Sequence, residues 1–295
     1  MFKKALSIFL IFTLVFLFAS CGADKDSSES NNNSNVFNPD APTITQAADD
    51  ADETADNGKY AKVTVPEGYT LLKTAWLLEE NGVCSTDDFI NAVNNYDTSK
   101  YSVLSSIHDR DKICFLLEGY LFPATYTFEK NSDPTKVIDK MVATEEKKFT
   151  AEMRQRATEL GYSVHDILTI ASIIEKEAFT DEQRTLISST IHNRLKQNMK
   201  LEYDVTVKYC TGVIQLKYPD KIDYYKYYYN GNRCKGLIAG PICNPGIASI
   251  KAALYPADTD YLFFVIDTNP PYNSAFTNSY EEHLKNVQKW KNGEL

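Results

Sequence analysis

Glu175 and Glu177 stand two residues apart at the end of a strongly apolar segment that begins at Ser163. At 100° per residue, Val164, Ile167, Leu168, Ile170, Ala171, Ile173, Ile174 and Ala178 share one wide stripe, and Lys176 points to the opposite side. The two glutamates fall inside the margins of the stripe, roughly 160° apart on the same wheel. A carboxyl held against apolar neighbours resists ionisation, so it stays protonated near neutral pH and can donate a proton. The competing reading has both side chains reaching outward to pair with Lys or Arg, and periodicity does not choose between them. A third carboxylate, Glu118, lies in the aromatic run FLLEGYLFPATYTF, Phe115–Phe128. Burying it unpaired is costly, so it is either paired or solvent-facing at a bend, or it forms part of a cleft wall. The chain has no P-loop, no G-x-G-x-x-G, no H-E-x-x-H and no His/Cys cluster at metal-ligand spacing. Neither a metal nor a cofactor is expected.

The elements around these residues are readable. Ser163 with Asp166 forms an S-x-x-D capping box that opens the helix carrying Glu175 and Glu177. Upstream, the alternation in Lys62–Val65 predicts a short strand, followed by a turn at Pro66-Glu67-Gly68. Leu71, Leu72, Ala75, Trp76 and Leu78 recur at helical spacing up to Asn81-Gly82, and Ser85 with Asp88 starts a second helix over Phe89–Val93. Such a strand–helix–helix lobe is similar to the LysM-like modules that bind glycan, with a plain packing lobe as the alternative. Pro134–Lys148 and Ala151–Leu160 read as amphipathic surface helices, and Asp204 and Thr206 as part of a strand-like run. Asn244-Pro245-Gly246 reads as a turn able to approach a sugar.

The chain's 295 residues suffice for one large domain or two small ones. Its net charge of −9 is concentrated in 22–58, which carries nine acids against one lysine; the leader adds +2, which leaves the body at −3. A body this close to neutral argues against a nucleic-acid partner. Met1–Cys21, MFKKALSIFLIFTLVFLFASC, has two lysines, an apolar run too short to span a bilayer comfortably, and Ala-Ser before Cys21. This resembles a lipoprotein signal in which Cys21 takes the lipid. An ordinary signal peptide or an uncleaved anchor is the alternative. The polar, acidic stretch that follows is expected to be a disordered tether of roughly 35 Å. Five further cysteines, Cys84, Cys114, Cys210, Cys234 and Cys243, leave at least one thiol free, and spacing assigns no bridge.

Five motifs, in order, resemble the MltG/YceG-like endolytic murein transglycosylases: LEGYLFPATY (Leu117–Tyr126), ASIIEKEAF (Ala171–Phe179), HNRLKQNMKLEYDVTV (His192–Val207), GPICNPGIASIKAALYPADTDYLFFV (Gly240–Val265) and SYEEHLKNV (Ser279–Val287). The resemblance covers about Lys62 to Trp290. It implies cleavage of the β-1,4 bond between N-acetylmuramic acid and N-acetylglucosamine in nascent strands, with a 1,6-anhydro end as product. It also implies that the second Glu of E-K-E, Glu177, is the catalytic acid. Glu118, Tyr126, Asn193, Arg194, Asp204, Thr206, Asn244 and Glu282 are the matched positions expected to shape the substrate cleft, and His283 is a weaker candidate. Expected partners are peptidoglycan strands, the membrane through the lipid anchor, and proteins of wall synthesis.

The chain departs from the family pattern at several places. Ala178 stands where Thr or Ser is usual, Ala124 replaces Asp in P-D-T-Y, and Glu202 replaces a Gln. Asp204-Val205-Thr206-Val207 stands for D-P-T-V, and Leu237–Ile242 for L-P-P-G-P-I. Asn273–Thr277 lacks the His of G-x-H-x-F. A lipobox also takes the place of the usual membrane helix. YPDKIDYYKYYYN (Tyr218–Asn230), with five tyrosines from Tyr224 to Tyr229, is read as a solvent-side insertion, with sugar stacking as the alternative. The expected fold is α+β: a small LysM-like strand–helix lobe over 59–115, then a larger mixed α/β catalytic domain over 116–295, preceded by the signal peptide (1–20) and tether (21–58). The rival function is a peptidoglycan-binding lipoprotein of the same fold without turnover. A solute-binding lipoprotein would need two similar α/β lobes, and no internal repeat supports one.

Overall fold

The computed structural model describes residues 58–295. The signal peptide, Cys21 and almost all of the tether lie outside the described residues. The described part is α+β and mostly helical, with two small antiparallel sheets.

The first lobe opens with β1 (Tyr60–Thr64), whose alternating pattern buries Ala61 and Val63. Helix α1 (Leu71–Glu80) starts at Thr70, whose hydroxyl accepts the Lys73 N–H, and buries Leu71, Leu72, Ala75 and Leu78. Helix α2 (Thr86–Asn94) starts at Ser85, whose hydroxyl accepts the Asp88 N–H at 3.2 Å, as the Ser85/Asp88 spacing predicts. Strand β2 (Thr125–Glu129) pairs with β1 from Tyr60↔Glu129 to Thr64↔Thr125. The sheet of this lobe thus spans the 115/116 division expected from sequence. Residues 95–124 run between α2 and β2 and feed Phe115, Leu117, Tyr120 and Leu121 into the core. Only the end of the Phe115–Phe128 run is strand, because Gly119 (φ 85°) and Pro123 interrupt it. A side chain at Gly119 would sit 2.4 Å from Cβ of Pro241, so the approach of these two loops requires glycine.

Helices α3 (Pro134–Lys148) and α4 (Ala151–Leu160) fall where the sequence predicts them, capped by Asp133 and Thr150. Helix α5 (Val164–Glu177) has the predicted capping box, with both Ser163–Asp166 bonds formed. Its burial exceeds the expected stripe: every residue from Ile167 to Ile174 is buried. The polar members of that run satisfy themselves on backbone carbonyls, Thr169 Oγ1 on His165 O at 2.7 Å and Ser172 Oγ on Thr169 O at 2.7 Å. Each fully buried aliphatic side chain contributes roughly 1.5–3 kcal/mol relative to exposure, so α5 is a rigid central rod.

Around this rod pack α4, α6 (Asp181–Lys196) and, most closely, α10 (Ile247–Leu254). Helix α7 (Asp204–Tyr209) runs through a π turn at Cys210–Ile214 into α8 (Gln215–Lys217), and α9 (Ile222–Tyr229) carries the tyrosines. The Asp204–Thr206 segment is therefore helical, not strand-like. Its run of β-branched residues, Val205-Thr206-Val207, mimics a strand, but Thr206 and Tyr209, three apart, are the buried pair. Strands β3 (Phe263–Ile266) and β4 (Ser274–Thr277) form the second sheet, and α11 (Tyr280–Asn292) packs against it. Among the described residues no helix is long and apolar enough to cross a membrane, and all five described cysteines are free thiols.

Candidate active site

The two stripe glutamates are put to different uses. Glu175 faces the start of α10, where its Oε2 accepts the Gly246 N–H at 3.1 Å and the Ser249 hydroxyl at 2.6 Å. Gly246 is the N-cap of α10, and its backbone N–H, which the N3 side chain accepts in a capping box, is accepted here by Glu175 from the neighbouring helix. The Glu67 carboxyl also presses on Gly246, whose added Cβ would lie 2.1 Å from it. Glu175 is thus a structural carboxylate.

Glu177, the last residue of α5, opens instead into a cleft of about 230 Å³. Leu201, Tyr203 and Phe264 give the cleft an apolar lining; Arg194, Glu202, Asp204 and His283 give it charge and polarity. Burial pushes the Glu177 carboxyl up from 4.5 to about 7. The charge of Asp204 pushes the same way, while Lys208 and the Val205 backbone N–H pull it down. The carbonyl end of α5 adds partial negative charge at this position and favours the protonated form further. The result is a half-buried carboxyl that is present in both protonation states near neutral pH.

Of the residues expected to line the cleft, the structure brings Arg194 and Asp204 to Glu177. Arg194 is buried and anchored: its Nε donates to Leu262 O at 2.6 Å, its Nη1 to Leu201 O at 2.5 Å, and it meets Glu202 at 3.5 Å. Its guanidinium lies over Phe263, 5.1 Å from the ring centroid. It joins the α6 end to the β3 approach and brings positive charge to the cleft floor.

The other expected positions hold the scaffold. Glu118 is buried and paired: Oε1 accepts the Leu71 N–H at 2.8 Å and Oε2 the Tyr209 hydroxyl at 2.9 Å, with burial raising its pKa to about 8. It ties the start of α1 to α7 and is not a cleft wall. Asn244 is also buried. Its Oδ1 accepts the Gly119 and Leu121 N–H groups at 3.0 and 3.1 Å, and its Nδ2 donates to Tyr69 O, so the side chain joins loops inside the core and does not face a sugar. The Tyr126 hydroxyl donates to Phe122 O at 2.6 Å inside the first lobe. Asn193 donates to Thr259 O and Tyr261 O at 2.8 and 3.0 Å, and Thr206 accepts the Gly231 N–H at 3.1 Å. Glu282 accepts the Thr277 hydroxyl at 2.9 Å at the head of α11 and does not line the Glu177 cleft. Its neighbour His283 does line it. That ring stacks on Phe263 at 5.3 Å, burial lowers its pKa, and its buried Nδ1 has no partner among the described residues. Sequence reasoning gave His283 little weight and did not find Lys208, whose one signal is its place four residues after Asp204 on one helix face.

A model of the YceG-like family matches residues 42–289. The chain belongs to the YceG-like family. A protein of Bacillus subtilis (strain 168) named endolytic murein transglycosylase is 38% identical over 246 residues, 79% of this chain and 66% of that protein. One of the same name from Streptococcus pneumoniae serotype 2 (strain D39 / NCTC 7466) is 31% identical over 256 residues, 80% of this chain and 45% of that protein. The chain therefore spans just under two thirds of the first relative and less than half of the second. A crystal structure of a yceG-like protein from Listeria monocytogenes superposes with a TM-score of 0.64 at 34% identity, covering 76% of this chain and 75% of that one. All five motifs and Glu177 fall within the residues matched by the YceG-like model.

Proposed function

We propose that this YceG-like chain is an endolytic peptidoglycan transglycosylase with Glu177 as its general acid and base. The observation that carries the reading is the contrast between the two E-K-E glutamates: Glu175 is committed to α10, while Glu177 faces a cleft with its pKa lifted to about 7. Protonated Glu177 donates to the glycosidic oxygen between N-acetylmuramic acid and N-acetylglucosamine as the bond to the muramoyl C1 breaks through an oxocarbenium-like state. The leaving sugar keeps that proton as a hydroxyl. The muramoyl C6 hydroxyl then bonds to C1 and gives its proton to the Glu177 carboxylate, which restores the acid and closes the 1,6-anhydro ring. No water is consumed, and intramolecular attack gains from proximity.

Relatives carrying the transglycosylase name support the reaction class. The β1–α1–α2–β2 unit, with two helices between antiparallel strands, supports reading the first lobe as a LysM-like glycan-holding module with 95–124 inserted. Residues 130–295 then form the catalytic part. Action outside the cytoplasm follows from the substrate, and the Cys21 lipobox would tether the enzyme to the membrane beside proteins of wall synthesis. Incubating the full chain with uncrosslinked glycan strands should release fragments ending in 1,6-anhydromuramic acid, detected by mass. Glu177→Gln should abolish them while the fold is retained. Reducing ends in place of anhydro ends, or full cutting by the Gln variant, would refute the mechanism.

A further inference from the structure

A cavity larger than the Glu177 cleft lies away from Glu177. It measures about 590 Å³, within the range of small-molecule sites, and sits at the opposite end of α5. His165, the second residue of that helix, lines it, while Glu177 is the last residue, about 18 Å along the axis at 1.5 Å per residue. The Tyr-rich segment forms part of its wall through Tyr227 and Tyr228, whose rings meet edge to face at 5.1 Å, and the Tyr227 ring is largely exposed. Two further wall residues, Arg233 and Lys235, are exposed and form no ion pair or side-chain hydrogen bond among the described residues.

Charge in the cavity is mixed but unbalanced. Lys112 pairs with Asp109 at 2.6 Å and lies over the Tyr228 ring, and Asp166 is held by its capping box at Ser163. Arg233 and Lys235 are the uncommitted pair. Three cations against two carboxylates leave one positive charge, which suits a ligand carrying a single negative charge. An aromatic face beside free cations is the pattern for a sugar ring bearing a carboxylate: the ring's apolar face lies on tyrosine, and the guanidinium takes the carboxylate through two parallel bonds.

We propose that this cavity is a second saccharide site, separate from the Glu177 cleft, that takes a carboxylate-bearing amino sugar, with the ring at Tyr227 and the carboxylate at Arg233 and Lys235. The site goes beyond the proposed reaction and leans on it only for the sugar the wall would offer, N-acetylmuramic acid. Bound there, a muramoyl unit whose lactyl carboxyl carries no stem peptide would hold a strand at a point remote from the cut.

The four histidines of the chain make the test site-resolved. His108 and His165 line this cavity, His283 lines the Glu177 cleft, and His192 lies in neither lining and bonds Ala253 O. The full chain, labelled at the histidine rings, is titrated with N-acetylmuramic acid and with N-acetylglucosamine, the same ring without the lactyl carboxylate. The ring signals of His108 and His165 should shift saturably, with the muramic sugar binding up to about fivefold tighter, the upper end for one exposed charged pair. Arg233→Ala with Lys235→Ala, both at exposed positions, should erase that preference without moving the His192 signal. The proposal is overturned if only His283 responds, if the two sugars bind alike, if the double variant keeps the preference, or if glycerol phosphate shifts His108 and His165 more than muramic acid does. A response at His108 and His165 alongside an inactive enzyme would sink the proposed reaction and leave this site standing.

Discussion

Replacing Glu175 and Glu177 one at a time should separate stability from catalysis, because the two carboxyls hold different things. Glu175→Ala removes the acceptor of two buried donors, the Gly246 N–H and the Ser249 hydroxyl. Each orphaned donor costs about 1–3 kcal/mol, and the lost anion at the head of α10 adds about 0.3–1 kcal/mol. The sum is roughly 2–7 kcal/mol, a large share of the ~5–15 kcal/mol that holds a domain folded. In urea the midpoint should fall by about 1 M or more for a slope of roughly 2 kcal/mol/M. Well below its melting point the variant should still form anhydro ends. Glu177→Gln should do the reverse. The Glu177 carboxyl binds a proton in the folded state between 4.5 and about 7, where the unfolded chain has lost it, so it costs stability increasingly as pH rises through that window. Removing it should leave stability at pH 8 unchanged or higher by about 1–3 kcal/mol, discounted for the open cleft, and end turnover. A Glu175→Ala protein within about 0.5 kcal/mol of the parent, or one as stable as the parent yet inactive, would refute the division of roles.

Three other side chains offer further tests. Asp204→Asn removes a charge that raises the Glu177 pKa, so the basic limb of the kcat/KM profile should move to lower pH; Lys208→Met should move it to higher pH, and two shifts in one direction would contradict the assigned electrostatics. Glu145, buried in α3 with neither oxygen bonded among the described residues, has its pKa raised by burial from 4.5 to about 8. Its folded form keeps a proton that the unfolded chain loses between those values, so stability falls as pH rises through the window; Glu145→Met should flatten that fall and gain about 1–3 kcal/mol at pH 8 by urea titration.

Local chemistry was legible in the sequence where it closes on itself. The Ser163–Asp166 and Ser85–Asp88 caps, the α3 and α4 spans and the wet side of Lys176 each depend on residues three or four apart, and each stands as expected. What was hidden depends on partners far along the chain. The wheel placed Glu175 and Glu177 equivalently, because only the arrival of Gly246 and Ser249, more than seventy residues later, claims one of them. Glu118 looked like a cleft residue because it is a carboxylate in an apolar run, and Asn244 because its turn could approach a sugar. Their actual partners are backbone N–H groups 47 and 125 residues away. The DVTV alternation suggested a strand, yet the segment is a helix whose start brings the Val205 N–H to Glu177. The tyrosine run was read as a solvent-side insertion, and nothing in its spacing pointed to the cavity that Tyr227 and Tyr228 help to line.

The chemistry of the Glu177 cleft turns on how many carboxyls act there. A hydrolase of the two-carboxylate kind assigns acid and base, or acid and nucleophile, to separate groups whose pKa values are pushed apart. In this cleft Asp204 and Glu202 are exposed, and Glu177 is the carboxyl whose pKa is displaced by burial. A lone group that must donate and then accept works best with a pKa near the working pH, because deviation in either direction disables one half of the cycle. About 7 meets that demand, and it arises from opposed neighbours: Asp204 pushes the value up and Lys208 pulls it down, with burial as the larger cause. The balance also ties the product to the mechanism. If Glu177 takes its second proton from the muramoyl C6 hydroxyl, Asp204→Asn alters the pH at which strands are cut and leaves their ends anhydro. If Asp204 instead activated a water, the same substitution would stop cutting and the parent would leave reducing ends, so the chemical form of the new end reports which carboxyl does the work.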